Sequence, residues 1–515
     1  MTIRLLEGIQ LAGVHQAVGS VLTLTPDAEA RHVSLNRAVY TTLPDIGDDA
    51  VPVLATKNVT GKSEILDPAT GLPMVLGGAA QKTSVAMHRM WGMGSTFSSG
   101  GTNNNIGCKV GKETLESEIC AVRVWVFSKE YINESSGWEV IVAPTDQLLN
   151  DSVANAFYPQ VGGTQYNLMA ESSADKTLPA NQYGWRRAQW GGQFNDGRAS
   201  KSGRLRPASN FRNQSTLTGY YPVTSCIKSD WIDIKTVPAS DGKHYMLWRA
   251  KKAAVAGETQ AFTSDKNPLW KNASSFPWYR RQFVMGHSAD AIGTLTNVPA
   301  APTEANFQWS PCTIAFEYRY KVAVRSVAAC GDSITENGGN QSYSLNNWII
   351  QACGELSTAA APVIPVNLGF STTTYANFFG QLEQMFAQGF RPTDVILPNV
   401  SFNDFSEYGS STSGTEFLLS QVQARLMRSI EICRRYGAKV YVTTDFHNLL
   451  LNSATAAYNQ LHADIYAFTL ALGTSGVCTV IDWRANWNVA LDDGVHAYQA
   501  GIDLQASLVK AALSS

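Results

Sequence analysis

Val322-Ala323-Val324-Arg325-Ser326-Val327-Ala328-Ala329-Cys330-Gly331-Asp332-Ser333-Ile334-Thr335 is the stretch on which the fold turns. An apolar, valine- and alanine-rich run stops at a glycine, as a buried strand does. A serine then stands where the strand gives way to a helix. There its hydroxyl can face the edge of the sheet, with its backbone N–H at a helix N-terminus aimed at developing negative charge, or the turn is an ordinary capped one. Downstream the same texture recurs. Apolar runs at Val363 to Leu368, Val395 to Val400, Lys439 to Thr443 and Val477 to Ile481 alternate with helical patterns. One helix carries Phe417, Leu418, Val422, Leu426, Ile430 and Cys433 on one face, with Gly437 as its stop. Another carries Tyr458, Leu461, Ile465 and Phe468 before Gly473. Repeated βα units predict a parallel sheet with helices on both faces and ligands at the strands' carboxyl ends.

Upstream the period is different. Ten of the thirteen tryptophans lie between Trp91 and Trp309, among many Gly, Asn and Ser residues. Alternating stretches such as Ala121 to Phe127, Trp231 to Ile234, Tyr245 to Trp248 and Thr313 to Tyr320 read as strands. The economical arrangement is an antiparallel sandwich. Residues 1–60 carry a single aromatic residue, Tyr40, and read as short strands plus one short helix starting at Pro26. The expected organisation is a small N-terminal module over 1–60, a β-sandwich for binding or positioning over 61–320, and an α/β three-layer domain over 321–515. No internal repeat is evident.

Composition narrows the function classes. The chain has 515 residues, 44% hydrophobic and 16% charged, with net charge −2. Low charge with high hydrophobicity excludes a disordered chain, and near neutrality argues against a basic nucleic-acid binder. The eight cysteines show no CxxC spacing and no zinc pattern, so they read as buried reduced thiols. No stretch approaches the ~18 apolar residues of a membrane span. The first residues lack a signal-peptide core.

The chemistry needs a base for Ser333 and an acid for that base. Asp492-Asp493-Gly494-Val495-His496 follows the final strand and precedes a C-terminal helix. Asp493, three residues before His496, can fold back onto the imidazole; Asp492 is the competitor. The second strand ends at Gly369, whose N–H can face a substrate oxygen, or whose glycine serves only the turn. The third ends in Ser401-Phe402-Asn403-Asp404, where the Asn403 amide can donate to the same oxygen or bond its own loop. Two backbone donors and one amide make an oxyanion hole.

Gly331-Asp332-Ser333, Gly369, Asn403 and Asp493-x-x-His496, in this order, resemble the four blocks of the SGNH (GDSL-type) hydrolases. The likeness covers about 195 C-terminal residues. It implies a flavodoxin-like α/β/α fold and ester hydrolysis without metal or organic cofactor. Ser333 would be the nucleophile, His496 the base and Asp493 its orienting acid. Ser333, Gly369 and Asn403 would form the oxyanion hole. The third block commonly reads Gly-x-Asn-Asp, and here Ser401 replaces its glycine. Asp404 is expected to tie loops together.

Other features carry weaker readings. His447 follows the fourth strand and can reach the edge of the site, or bond its own loop; the remaining histidines read as structural. The segment 185–212 interleaves seven basic residues with aromatics, as a grip for an anionic polymer or as a solvated loop over core aromatics. Ala17 to Leu24 and Asn36 to Tyr40 faintly resemble short modules of tailed-phage structural proteins. That resemblance implies a virion-associated esterase, cytoplasmic when made, acting on an O-acetylated bacterial surface polysaccharide, and trimeric if part of a tail fibre. The competing expectations are a general short-chain lipid or small-ester esterase, and a non-catalytic carbohydrate-binding or structural tail protein. Neither nucleic acid nor membrane is an expected partner.

Overall fold

The structure is a computed structural model. It describes residues 111–126, 139–148, 159–169, 183–190, 227–251, 315–336, 347–369, 375, 378–402, 404, 419–445, 459–491 and 495–515 in full, and the backbone of the further strands and helices named below. The chain divides into two compact units, Met1–Gln81 and Lys82–Ser515. In the first, Ile3–Leu5 pairs antiparallel with Val21–Leu22 and Ala38–Tyr40, and Thr56–Val59 forms a hairpin with Lys62–Leu66. The expected break at 60/61 falls between those two strands and lies outside the described residues. The expected helix at Pro26 lies outside the described residues.

In the second unit the strands used here are β1 (Thr83–His88), β2 (Gly107–Leu115), β3 (Ile119–Ser128), β4 (Trp138–Thr145), β5 (Arg186–Arg187), β6 (Ser225–Lys228), β7 (Ile232–Asp233), β8 (His244–Lys252), β9 (Arg281–Gly286), β10 (Thr313–Gly331), β11 (Val363–Gly369), β12 (Asp394–Pro398), β13 (Lys439–Thr443) and β14 (Thr479–Ile481). The helices are α1 (Ser333–Glu336), α2 (Trp348–Leu356), α3 (Tyr375–Ala387), α4 (Leu419–Arg435), α5 (Ala456–Thr474), α6 (Trp483–Asn486) and α7 (Gln499–Ser514).

β10 organises this unit. The sequence reads as two strands, Thr313 to Tyr320 and Val322 to Cys330; the structure joins them into one strand of 19 residues. Its first half pairs antiparallel with β1 and β3. Its second half pairs parallel with β11 and β12. The expected domain boundary at 320/321 therefore falls inside a strand, and one nine-stranded sheet contains both regions. Its parallel part runs β11-β10-β12-β13-β14. In chain order that is 2-1-3-4-5, the flavodoxin-like order, whose switch point lies between β10 and its neighbours at the carboxyl ends.

Side-chain direction along β10 changes once. Phe316, Tyr318, Tyr320 and Val324 enter one core, while Ala315 enters the other. Further along, Val327 and Ala329 enter the first core and Ala328 and Cys330 the second. Even numbers give way to odd, and the pairing with β1 shifts register between Arg319 and Val324. The register shift precedes Val324, and the change of parity follows it, between Val324 and Val327. The first core joins the five-stranded antiparallel sheet (β5-β4-β8-β2-β9) to the helices α2 and α7. Trp248 of that sheet lies 5.4 Å from Phe316 of β10, ring to ring. The second core holds α3, α4 and the end of α5 against the opposite face. The parallel half thus has helices on both sides. α4 buries Val422, Leu426, Ile430 and Cys433, as its periodicity predicts, and Gly437, at φ +85°, follows it. Of the cysteines among the described residues, all five are free thiols, and four are buried.

A buried ion pair crosses the antiparallel half of this sheet. Arg123 of β3 stands opposite Glu317 of β10. Glu317 accepts from Arg123 Nε at 2.5 Å and from Trp125 Nε1 at 2.6 Å, and both charged side chains are almost fully buried. Trp231 lies 4.5 Å from the Arg123 guanidinium. Removing one partner of such a pair leaves an uncompensated buried charge, at a typical cost of about 3–5 kcal/mol. Glu317→Leu is therefore expected to lower unfolding free energy by that order in denaturant titration. Arg123→Met combined with Glu317→Leu should recover most of it. A single variant as stable as wild type would show that the pair contributes little.

Candidate active site

Ser333 is the first residue of α1, directly beyond the carboxyl end of β10. Two close approaches hold it there. Gly331 and Gly369 are register partners at the ends of β10 and β11. A Cβ on Gly331 would lie 2.0 Å from Thr335 Oγ1, and one on Gly369 would lie 2.2 Å from the Glu336 N. The α1 turn sits directly on both glycines, so neither position has room for a side chain. The Thr335 carbonyl at the end of this short helix accepts from the side-chain amides of Asn347 and Asn367, the latter at 3.1 Å. Both asparagines are fully buried. Asn347 also caps α2, accepting from Ile349 N at 2.9 Å. Orphan groups at the helix end are thus satisfied from two neighbouring elements.

His496 lies in the loop that leads into α7, immediately before Ala497, which pairs with Leu491 in an isolated bridge, and three residues before the helix begins. Its Nε2 is 2.8 Å from Ser333 Oγ. Residues 163 positions apart thus meet at hydrogen-bond distance. α7 is fixed at its far end: Arg325 Nη1 donates to the Leu513 carbonyl at 2.5 Å, while Nε and Nη2 grip Asp394 at 2.8 Å each. The strand that presents the serine therefore also anchors the helix that follows the histidine.

Asp332, adjacent to Ser333, is buried and accepts three hydrogen bonds. Ile334 N donates to Oδ1 at 3.1 Å; Ser401 Oγ and Phe402 N donate to Oδ2 at 2.8 and 2.7 Å. Burial pushes its pKa up, while these donors and the nearby His496 pull it back. Asp404 binds Arg425 Nη1 at 3.0 Å and receives the Tyr375 N–H at 3.4 Å. It thereby ties the loop after β12 to α4 and α3, as expected of it.

Ser333 and His496 are thus brought together. Gly369 takes a different part from the one expected. Its N–H donates to Asn367 Oδ1 at 2.8 Å, and its missing side chain makes room for α1. A substrate oxygen would have to displace that amide. Asn403, Asp493, its competitor Asp492, and His447 lie outside the described residues. In the segment 185–212, Trp185 and Trp190 are buried in the protein, and Arg187 pairs with Glu139 at 2.7 Å. Sequence reasoning missed Asn347, Asn367 and the partnership of Ser401 with Asp332. A polar residue inside an apolar run, as Asn367 is in Val363–Gly369, was the available signal. Asn347 before Trp348 was a readable N-cap.

No protein-family model matches the chain, and no curated protein matches it. Among solved structures it is similar to TesA (18% identity, covering 36% of this chain and 97% of that one, TM-score 0.30). It is also similar to a G-D-S-L family lipolytic protein from Veillonella parvula (16% identity, 36% and 96%, TM-score 0.30). A third is an acetyl-xylooligosaccharide esterase from Geobacillus (17% identity, 37% and 94%, TM-score 0.30).

The buried carboxyl groups make stability depend on pH. Burial raises Asp404 from an ordinary 3.8 to about 6, against the pull of Arg425; Asp445 is raised to about 6 by the same cause. The folded chain then holds these protons more tightly than the unfolded one. This contribution is fully present below about pH 4 and is lost as pH rises through about 6. Unfolding free energy should fall across that window, and Asp404→Asn should flatten part of the fall. Denaturant titrations at pH 4, 5, 6 and 7 check it; an unchanged slope in the variant would assign the effect elsewhere.

Proposed function

We propose that the chain is a serine ester hydrolase with Ser333 as nucleophile and His496 as general base. The observation that carries this reading is the 2.8 Å contact between His496 Nε2 and Ser333 Oγ at the switch point of a parallel sheet. An imidazole there takes the serine proton as Oγ attacks an ester carbonyl. The tetrahedral oxyanion forms beside the Ser333 N–H, which as the first helical residue has no intrahelical acceptor. The Asn403 amide is the second donor in this reading. Gly369 N–H joins only where the substrate oxygen takes the place of Asn367 Oδ1. His496 then returns its proton to the leaving alcohol, and water releases the acyl group by the reverse path. Asp493 is the proposed partner of the imidazole.

For substrate we propose O-acyl esters, O-acetyl above all, on a bacterial surface polysaccharide. Support comes from the build of the chain. The antiparallel region shares strand β10 with the catalytic turn, so a polymer held on that region would be presented at a fixed distance from Ser333. Association with a phage tail is part of the same proposal and rests on the N-terminal resemblance.

Ser333→Ala should lower kcat on a short aryl ester at least about 10³-fold. Acetate release from acetylated polysaccharide should fall in parallel. Loss on the aryl ester with no acetate release by wild type would retain the hydrolase and discard the polysaccharide. Equal turnover by wild type and variant would remove Ser333 from the chemistry.

A further inference from the structure

We infer that Ser401 is a positioning residue for this site, its hydroxyl locking the loop after β12 to the turn that carries Ser333. The inference rests on the hydrolase reading above. Three observations support it. Ser401 Oγ and Phe402 N both donate to Asp332 Oδ2, at 2.8 and 2.7 Å, so consecutive residues of one loop close on one oxygen. The other oxygen, Oδ1, accepts from Ile334 N in the turn of Ser333 itself. Ser401 is fully buried and Asp332 nearly so, so no water competes for these bonds.

The loop is held from its other end as well. The Ser401 backbone N–H bonds the Asp404 carboxylate, which Arg425 of α4 neutralises. Ser401 therefore stands between two buried carboxylates that repel each other, donating its hydroxyl to one and its amide to the other. Glycine at this position could supply the amide alone. The hydroxyl adds the bond that fixes Asp332, and Asp332 is the residue next to the nucleophile. The charged and titratable groups around it are His496, Asp404 with Arg425, and Glu336 of α1, whose N–H bonds the Asp332 carbonyl. A reacting group displaced by about 1 Å can lose about 10²-fold in rate. A bond that sets the serine's turn against the facing loop acts on kcat more than on substrate affinity.

The test compares wild type, Ser401→Ala, Ser401→Thr and Asp332→Asn on the aryl ester, with denaturant midpoints for each. Reactivity toward a fluorophosphonate reports the Ser333 hydroxyl separately. The expected result is a fall in kcat of about 10-fold or more in Ser401→Ala, with KM within about 3-fold. Fluorophosphonate labelling should slow by a similar factor, and Ser401→Thr, which keeps the hydroxyl, should recover most of the rate. Asp332→Asn should show the same kcat-selective loss, and it carries the test if Ser401→Ala does not fold. Wild-type kcat in folded Ser401→Ala or in Asp332→Asn would overturn the inference. So would a folded Ser401→Thr as slow as Ser401→Ala. A wild-type protein inert to both the ester and the fluorophosphonate would overturn the hydrolase reading itself, and this inference with it.

Discussion

The second unit depends on a single strand that belongs to two kinds of sheet. β10 is 19 residues long, roughly 60 Å at strand rise. Over its first half it satisfies its backbone through antiparallel neighbours, and over its second half through parallel ones. The five-stranded sheet and the helices α2 and α7 then share one core on one side, and α3 reaches both halves on the other. Trp125 of the antiparallel half lies 6.4 Å from Phe390, just beyond α3. The site is positioned by this arrangement, because Ser333 stands two residues beyond the end of that strand.

Three charged groups, two of them buried and Arg325 half-buried, follow the same line. Glu317 and Arg325 lie on β10, and Asp332 follows its last residue. Each is met by partners from a different element: Arg123 from β3, Asp394 from β12, Ser401 and Phe402 from the loop after β12. Pairs of this kind are weak evidence for stability against a well-packed apolar alternative, because desolvation offsets much of the attraction. What they impose is geometry. A mispaired register would leave a charge unmet in the interior.

Much of the parallel half was legible in the sequence. Lys439–Thr443 was readable to the residue, because a short valine-rich run ended in polar residues on either side. The α4 face was readable because its apolar positions recur at helical spacing. The pairing of Ser333 with His496 was legible as chemistry, since a serine at a strand end needs a base. The continuity of β10 was not. Lys321, exposed at the centre of the strand, looks like a break between two runs, and only the pairing of both halves shows that the backbone runs on. The role of Gly369 was not legible either. A glycine required for close approach and a glycine that offers a free N–H look identical in sequence. The distinction lies in Asn367, two residues earlier, whose side chain takes that N–H.

The change from even to odd along β10 constrains how the two cores can share one strand. A strand repeats every two residues, so two sheets sharing one strand can be joined in phase or half a period out. Here the junction is out of phase, with the slip between Val324 and Val327. An insertion or deletion at the seam keeps both cores filled only if it changes the length by an even number of residues. Any odd one would turn Ala328 and Cys330 toward the wrong layer and invert the footing of the turn that carries Ser333.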